Sequence, residues 1–390
     1  MRARFVSVLV FALVLGLVPL TAWAEPSDSS PATVSRQLSG LAEDADLSGP
    51  GLRSSLPTRA PIPFGMVGFE LPVTGLAAPI LFRTSQDGKV WSDWEEAEDD
   101  PNEGPDPAGS EARQAAASRF TEPVWVGKSR FLQVSTDGVS PEEVTVHLID
   151  SEGLSRSLPQ RVLDHLRRAL NGSRPPAAEA AVSRPRIVSR RQWGADESLR
   201  SGRPEYASRV RYGIIHHTAT PNGYDCSQAR AVLRGIYHYH TRTRGWSDIA
   251  YNLLVDRCGT VYEGRAGGVD RPVIGAHAAG FNTGSFGIAV IGELTSQVPA
   301  AAFNAAVNTI AWKFDIHDIE PDERITVTSG GSSNYPAGSK AKIWTLSAHR
   351  DVGDTECPGD ALYRRLPEMR VRVRQRMAGG GLIRLPLVGS

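Results

Sequence analysis

The chain has 390 residues, with 43 Lys and Arg balanced by 43 Asp and Glu, and 41% of its residues are hydrophobic. That length allows two folded domains, each able to bury a core. A balanced charge argues against nucleic acid or an anionic membrane as the main partner, because both select for a basic excess.

Arg2 and Arg4 precede an apolar run from Phe5 to Leu20, and Ala22-Trp23-Ala24 then offers a small-x-small cleavage site. This is the layout of a secretory signal peptide over residues 1–24. An uncleaved anchor is the alternative, but the run is short for a span and Pro19 interrupts its end. The mature chain is therefore expected to be secreted, extracellular or cell-wall associated, and not held in a membrane. Cys226, Cys258 and Cys357 are the three cysteines. In an oxidising space Cys226 and Cys258 are close enough in sequence to pair, which leaves Cys357 over.

Residues 25–55, rich in Ser, Pro, Asp and Ala without periodicity, read as a disordered leader. Residues 56–155 carry short apolar runs separated by turn signals. Ile80-Leu81-Phe82 and Val90-Trp91 flank an Asp87-Gly88 hairpin signal, and Val124–Val126, Phe131–Val134 and Val144–Leu148 continue the series. A small β-sandwich-like accessory domain is expected. Trp91, Trp94 and Trp125 are read as core residues of it in preference to a sugar platform. The acidic loop from Glu95 to Glu111, with Asp99, Asp100, Asn102 and Asp106, is read as a solvated loop in preference to a calcium site.

Residues 156–186 predict a short helix over Leu158–Leu170, stopped by Asn171-Gly172, and then a Pro/Ala linker. The second domain, residues 187–377, alternates strand and helix signals, and residues 378–390 form a tail. Tyr212–His216 and Phe286–Ile291 read as buried strands, and Tyr251–Asp256 and Thr260–Glu263 as a pair around Arg257-Cys258-Gly259. Asp225 with Gln228 predicts a capping box ahead of a helix burying Val232, Leu233, Ile236 and His240. Pro299 opens another helix through Phe303, Val307, Ile310 and Phe314. The fold class is α/β, a mixed central β-sheet flanked by helices, preceded by the smaller β-sandwich-like domain. Residues 320–342, rich in Gly, Ser and Thr, look like an insertion near the cleft.

His216-His217, His349 and Cys357 supply imidazole and thiolate donors. Soft donors of this kind suit zinc rather than calcium or magnesium, and three dispersed protein ligands fit a catalytic site better than a closed structural one. Taken singly, each has a plain reading: a core histidine, a surface-loop histidine and an inert buried thiol.

The second domain closely resembles the peptidoglycan recognition proteins and type-2 N-acetylmuramoyl-L-alanine amidases. The resemblance is carried by Ile214-Ile215-His216-His217-Thr218, Tyr237–His240, Gly245–Asn252, Val261–Arg265, Gly275-Ala276-His277 and His349–Val352 through Thr355–Gly359. It implies a zinc ion held by His216, His349 and Cys357, with Tyr251 and Thr355 as catalytic residues. His277 and His217 are implied substrate contacts. Ala289 stands where one branch carries a glutamate base, so no general base is assigned.

The implied function is hydrolysis of the amide between the lactyl group of N-acetylmuramic acid and L-alanine, by a monomer whose partner is bacterial peptidoglycan. The competing reading is a recognition protein that binds the wall without cutting it. Such relatives typically replace the Cys or the first His, and both are kept here. Zinc that merely holds the fold would need a fourth protein ligand, and the sequence offers no good one.

Overall fold

The computed structural model describes residues 33–38, 41–42, 52–72, 80–113, 118–137, 140–154 and 182–379. The expected signal peptide, the helix over 158–170, most of the linker and residues 380–390 lie outside the described residues.

The amino-terminal half is built of antiparallel strands joined into one nine-stranded set. The set includes Thr33–Gln37, paired with Thr145–Ile149, and Leu52–Ser55, paired with Val124–Asp137, so these parts of the stretch expected as a disordered leader are strands. Its spine is two strands of 14 residues, Thr58–Leu71 and Val124–Asp137. Their pairing register shifts between Arg59 and Phe64 and again between Phe64 and Met66, where Pro61, Pro63 and Gly65 interrupt the ladder. Bulges of this kind bend a strand. The long strand Thr58–Leu71 also pairs with Thr145–Ile149 and Arg119–Phe120, and Ile80–Ser85 pairs along the other spine strand. Phe64, Val67, Phe69, Phe82, Leu132, Val134, Val146 and Leu148 fill the core between them. Trp125 is buried with only 5% of its surface exposed, but it packs in the apolar cluster shared with the second half and not in the core of the strands. Trp91 and Trp94 are half-buried instead and hold the Arg83 guanidinium at 5.4 and 4.7 Å from their rings.

The second half carries a six-stranded sheet. Its order is Ile187–Val188, Val261–Glu263, Leu253–Val255, Ser285–Val290, Tyr212–His217 and Leu346–Ala348. Only the Leu253–Val255 and Val261–Glu263 pair is antiparallel. The central strands SFGIAV and YGIIHH are buried at every position, the pattern of strands covered on both faces. Helices Ala300–Asp315 and Leu366–Met377 cover one face through Phe303, Ile310, Phe314, Met369 and Val373. Helix Ala229–His238 covers the other through Val232, Leu233, Ile236 and Tyr237.

That helix begins four residues later than Asp225. Residues 225–228 form a turn instead, in which the Gln228 side chain accepts from the Asp225 N–H at 2.8 Å. A disulfide joins Cys226 to Cys258 with 6.1 Å between Cα atoms, and it ties this turn to the sheet. The helix runs on as one π turn, Tyr239–Thr243.

The two halves share an apolar cluster in which Met66, Phe120, Trp125 and Ile149 pack with Trp193, Ile236, Tyr237 and Tyr239. The approach is close. A Cβ on Gly235 would stand 2.7 Å from Met66 Sδ, so any other residue there would force the Met66 side chain to move. Tyr239 Oη donates to the Thr121 carbonyl at 3.1 Å, which satisfies its polar tip inside the interface. Residues 320–342 contribute a hairpin, Arg324–Thr328 with Lys340–Trp344, and its connecting loop reaches the amino-terminal half through Ser333. Among the described residues no helix is long and apolar enough to cross a membrane.

Candidate active site

Strands Tyr212–His217 and Leu346–Ala348 lie side by side and parallel, with Ile215 opposite Ala348. Their carboxyl ends therefore deliver His216 and His349 to the same edge of the sheet, with ring centroids 4.7 Å apart. The turn after His349 brings Cys357 back beneath them. Its Sγ is 3.6 Å from His216 Nδ1 and accepts the His217 backbone N–H at 3.4 Å. One ligand atom from each of His216, His349 and Cys357 lies within 4.8 Å of the others, and all three residues are buried.

The outer ring nitrogens suit a metal. His349 Nε2 donates to the Asn102 carbonyl at 3.3 Å, while its Nδ1 is buried and makes no aligned hydrogen bond. His216 Nε2 faces His277 Nδ1 at 3.0 Å. With the proton on His216 Nε2, His277 Nδ1 accepts it and His277 Nε2 donates to Ser285 Oγ at 3.3 Å. Ser285 in turn donates to the Asn282 carbonyl at 3.0 Å. Every donor in this chain has an acceptor, and His216 Nδ1 keeps its lone pair on the sulfur side. Anchoring the far nitrogen in this way is how proteins orient metal-binding imidazoles. Burial first, and then His349, holds His216 well below the usual histidine range, so it is neutral, as a ligand must be. Burial pushes the Cys357 thiol well up, and Asp100 adds to that effect, so a cation is what would make it a thiolate. Against the effect of burial, Asp100 raises the His349 pKa, so a metal would take the place of the proton that faces Asp100. With that exchange the donor set fits zinc, two imidazoles and one sulfur.

The other expected residues fall around this centre. Tyr251 stacks 5.4 Å from the His216 ring, and its hydroxyl reaches the His217 carbonyl at 3.5 Å. Burial and then Glu103 raise its pKa well above the ordinary phenol value, so it keeps its proton. Thr355 Oγ1 accepts the Cys357 N–H at 3.1 Å and donates to Asp100 at 2.8 Å. His217 is buried with neither ring nitrogen hydrogen-bonded, and its Nε2 is 3.5 Å from Glu98. His277 does not face a cleft. It is fully buried behind His216, against Gly287, where a Cβ would come within 2.4 Å of its ring.

The acidic loop overturns its expectation as a solvated segment. It belongs to the amino-terminal half, yet Asp100, Asn102 and Glu103 are buried against the second domain. Asp100 Oδ2 is 3.1 Å from His349 Nδ1. Glu103 and Glu122 share the guanidinium of Arg244 at 2.8 and 2.7 Å, and Glu111 pairs with Arg265 at 2.8 Å. Burial and then Glu122 raise Glu103 well above the usual carboxyl range. His240 approaches the same two glutamates, but Arg244 already neutralises that cluster, which argues against a second cation there. Acidic composition shows that a loop is charged. It does not show whether arginines more than a hundred residues away meet those charges.

Two histidines at one end of the sheet and a cysteine from the following turn form a group that could hold a metal ion, and similarity to known proteins narrows the class of protein. A family described as N-acetylmuramoyl-L-alanine amidase matches residues 206–360. One described as Rv3811 N-terminal galactose-binding domain-like matches residues 22–153. The chain is 34% identical over 181 residues to peptidoglycan-recognition protein SC2 of Drosophila simulans, covering 45% of this chain and 82% of that protein. It is 32% identical over 206 residues to an N-acetylmuramoyl-L-alanine amidase of Homo sapiens, 51% of this chain but only 31% of that longer relative. Among solved structures, Drosophila PGRP-LB is 31% identical over 46% of this chain and 92% of its own, with a TM-score of 0.37. The chain belongs to the family of peptidoglycan recognition proteins and N-acetylmuramoyl-L-alanine amidases.

Proposed function

We propose that this protein is an exported zinc-dependent N-acetylmuramoyl-L-alanine amidase acting on bacterial peptidoglycan. The observation that carries the reading is the convergence of His216, His349 and Cys357 within 4.8 Å, with the His216 imidazole oriented from behind by His277. Zinc in that site would supply a Lewis acid and a water with its pKa lowered to about 7. Tyr251, protonated at neutral pH, is a donor for the oxyanion that develops when the amide carbonyl is attacked. Thr355 fixes the Cys357 backbone, and its hydroxyl proton can turn toward substrate once Asp100 no longer accepts it. His277 and Ser285 act through His216 as positioning residues. Recognition without cleavage remains the rival that the experiment must separate.

The test is digestion of intact peptidoglycan by the purified mature protein, with and without a chelator, read by mass spectrometry of the soluble products. Stem peptides with a free L-alanine amine, lost on chelation, establish the amidase. Sedimentation with the wall and no released peptide, from the wild type and equally from a variant in which the acidic loop over the site is loosened, would leave the recognition reading in its place.

Ser285→Ala removes the acceptor that fixes the His277 tautomer. Zinc affinity, read by competition with a chromophoric chelator, should fall by roughly tenfold or more. Ser285→Thr should restore most of it, and an unchanged affinity in the alanine variant would show that the relay does not orient His216.

A further inference from the structure

We propose that the chain is latent as it folds, because the loop spanning residues 98–111 of its amino-terminal half caps the metal site and occupies the cleft that substrate must enter. The inference rests on the amidase reading of that site.

Access comes first. His216, His349 and Cys357 are 0%, 1% and 4% exposed, and Tyr251 is 2% exposed. A peptide branching from an insoluble polymer cannot reach atoms so covered. The cover includes the loop. Its Asn102 carbonyl accepts both the Ala279 N–H at 2.8 Å and His349 Nε2–H. The Asn102 side chain donates to the Asp354 carbonyl at 2.8 Å and accepts from Ser333 Oγ at 2.7 Å. Asp100 takes the Thr355 hydroxyl and stands beside the nitrogen that His349 would offer to a metal. Further along, Asp106 accepts from the backbone N–H groups of Asn282 and Thr283 and from the Thr283 hydroxyl at 2.9 Å.

The chemistry of this contact is that of a peptide ligand. The segment Asp99-Asp100-Pro101-Asn102-Glu103-Gly104 is anionic and held by hydrogen bonds and ion pairs. An anionic peptide that offers carboxylates and amide carbonyls can replace such bonds one for one, so exchange of loop for substrate loses few of them. A surface pocket of about 360 Å³, open to solvent, runs along the loop and is lined by Asp99, Asp100, Glu103, Arg244 and Trp246. No residue of 98–111 belongs to the apolar cluster centred on Met66 and Tyr239, so lifting the cap would break its ion pairs to Arg244 and Arg265 and leave that cluster in place.

The experiment uses the full mature chain and the variant Asn102→Ala/Asp106→Ala, which loosens the loop and leaves the metal ligands, Tyr251 and Thr355 untouched. The readout independent of activity is the rate at which a thiol reagent modifies Cys357 in the native, zinc-free protein. In the wild type, labelling should be far slower than in the unfolded chain, and in the variant it should be at least about tenfold faster, as expected when a rare open state becomes common. Stem-peptide release by the zinc-loaded proteins should rise in parallel. Equal labelling in the two proteins overturns the cap, as does wild-type labelling at the unfolded rate, which needs no variant to fold. Faster labelling without any peptide release would uphold the cap and defeat the amidase reading.

Discussion

Cys357→Ala is expected to abolish zinc retention and amide cleavage together. The sulfur is the soft donor of the set, and it lies buried 3.6 Å from His216 Nδ1. Losing it leaves two imidazoles, one of which has Asp100 beside it. Turnover should drop by at least about a thousandfold, since a metal that polarises the amide is worth several kcal/mol of barrier and each ~1.4 kcal/mol is tenfold. Metal analysis after gel filtration should read close to one zinc per wild-type chain and none in the variant. The fold should survive, because Cys357 contributes little buried apolar surface of its own. A variant that keeps full activity would disprove the ligand assignment.

Arg244→Ala should produce the largest loss of stability. Its side chain is 3% exposed, donates to Glu103, Glu122 and the Thr121 carbonyl, and stacks 4.8 Å from the Trp246 ring. Without it two buried carboxyl groups face each other with no cation. Breaking a buried ion pair from one side costs about 3–5 kcal/mol. For a domain of this size that corresponds to a fall of roughly 10 °C in the thermal midpoint. The loss should depend on pH in a definite direction. Glu103 is already raised well above its ordinary value in the folded chain, so folding favours its protonated form. Stability tied to it is present in acid and lost as pH rises through the shifted range. The gap between variant and wild type should therefore be smallest at low pH. Arg244→Met with Glu103→Gln and Glu122→Gln should recover much of the deficit, since removing the whole cluster leaves no charge stranded. A midpoint within a degree or two of wild type would show that the cluster is more hydrated than its burial indicates.

Much of this site is legible in the amino-acid sequence alone. Soft donors at His216, His349 and Cys357 stand out by residue type, and a buried strand ending at His216 follows from an apolar run, whereas the short strand Leu346–Ala348 that delivers His349 carries no comparable signal. The mixed sheet with helices on both faces follows from the alternation of patterns. Other features depend on contacts that no local signal carries. His277 reads as a residue of the cleft, but Gly287 leaves room for its ring behind His216, and only the pairing of distant strands shows that. The helix expected at Asp225 starts at Ala229, because the Gln228 side chain bonds the Asp225 N–H while the chain stays in a turn, and the Asp225 side chain caps nothing there. The loop misled most. Prolines and carboxylates describe a solvated segment equally well, until Arg244 and Arg265 are brought to it by the fold.

The placement of the two histidines also governs when the metal can be acquired. His216 and His349 are 133 positions apart in the chain, and they become neighbours only when the last strand of the sheet, Leu346–Ala348, docks in register beside Tyr212–His217. Until then the chain offers isolated donors of low affinity. If the chain is exported unfolded and binds zinc, as proposed, it would arrive empty and draw its metal from the far side. Metal content becomes a record of completed folding, and a chain that stalls before its final strand is added stays chemically harmless.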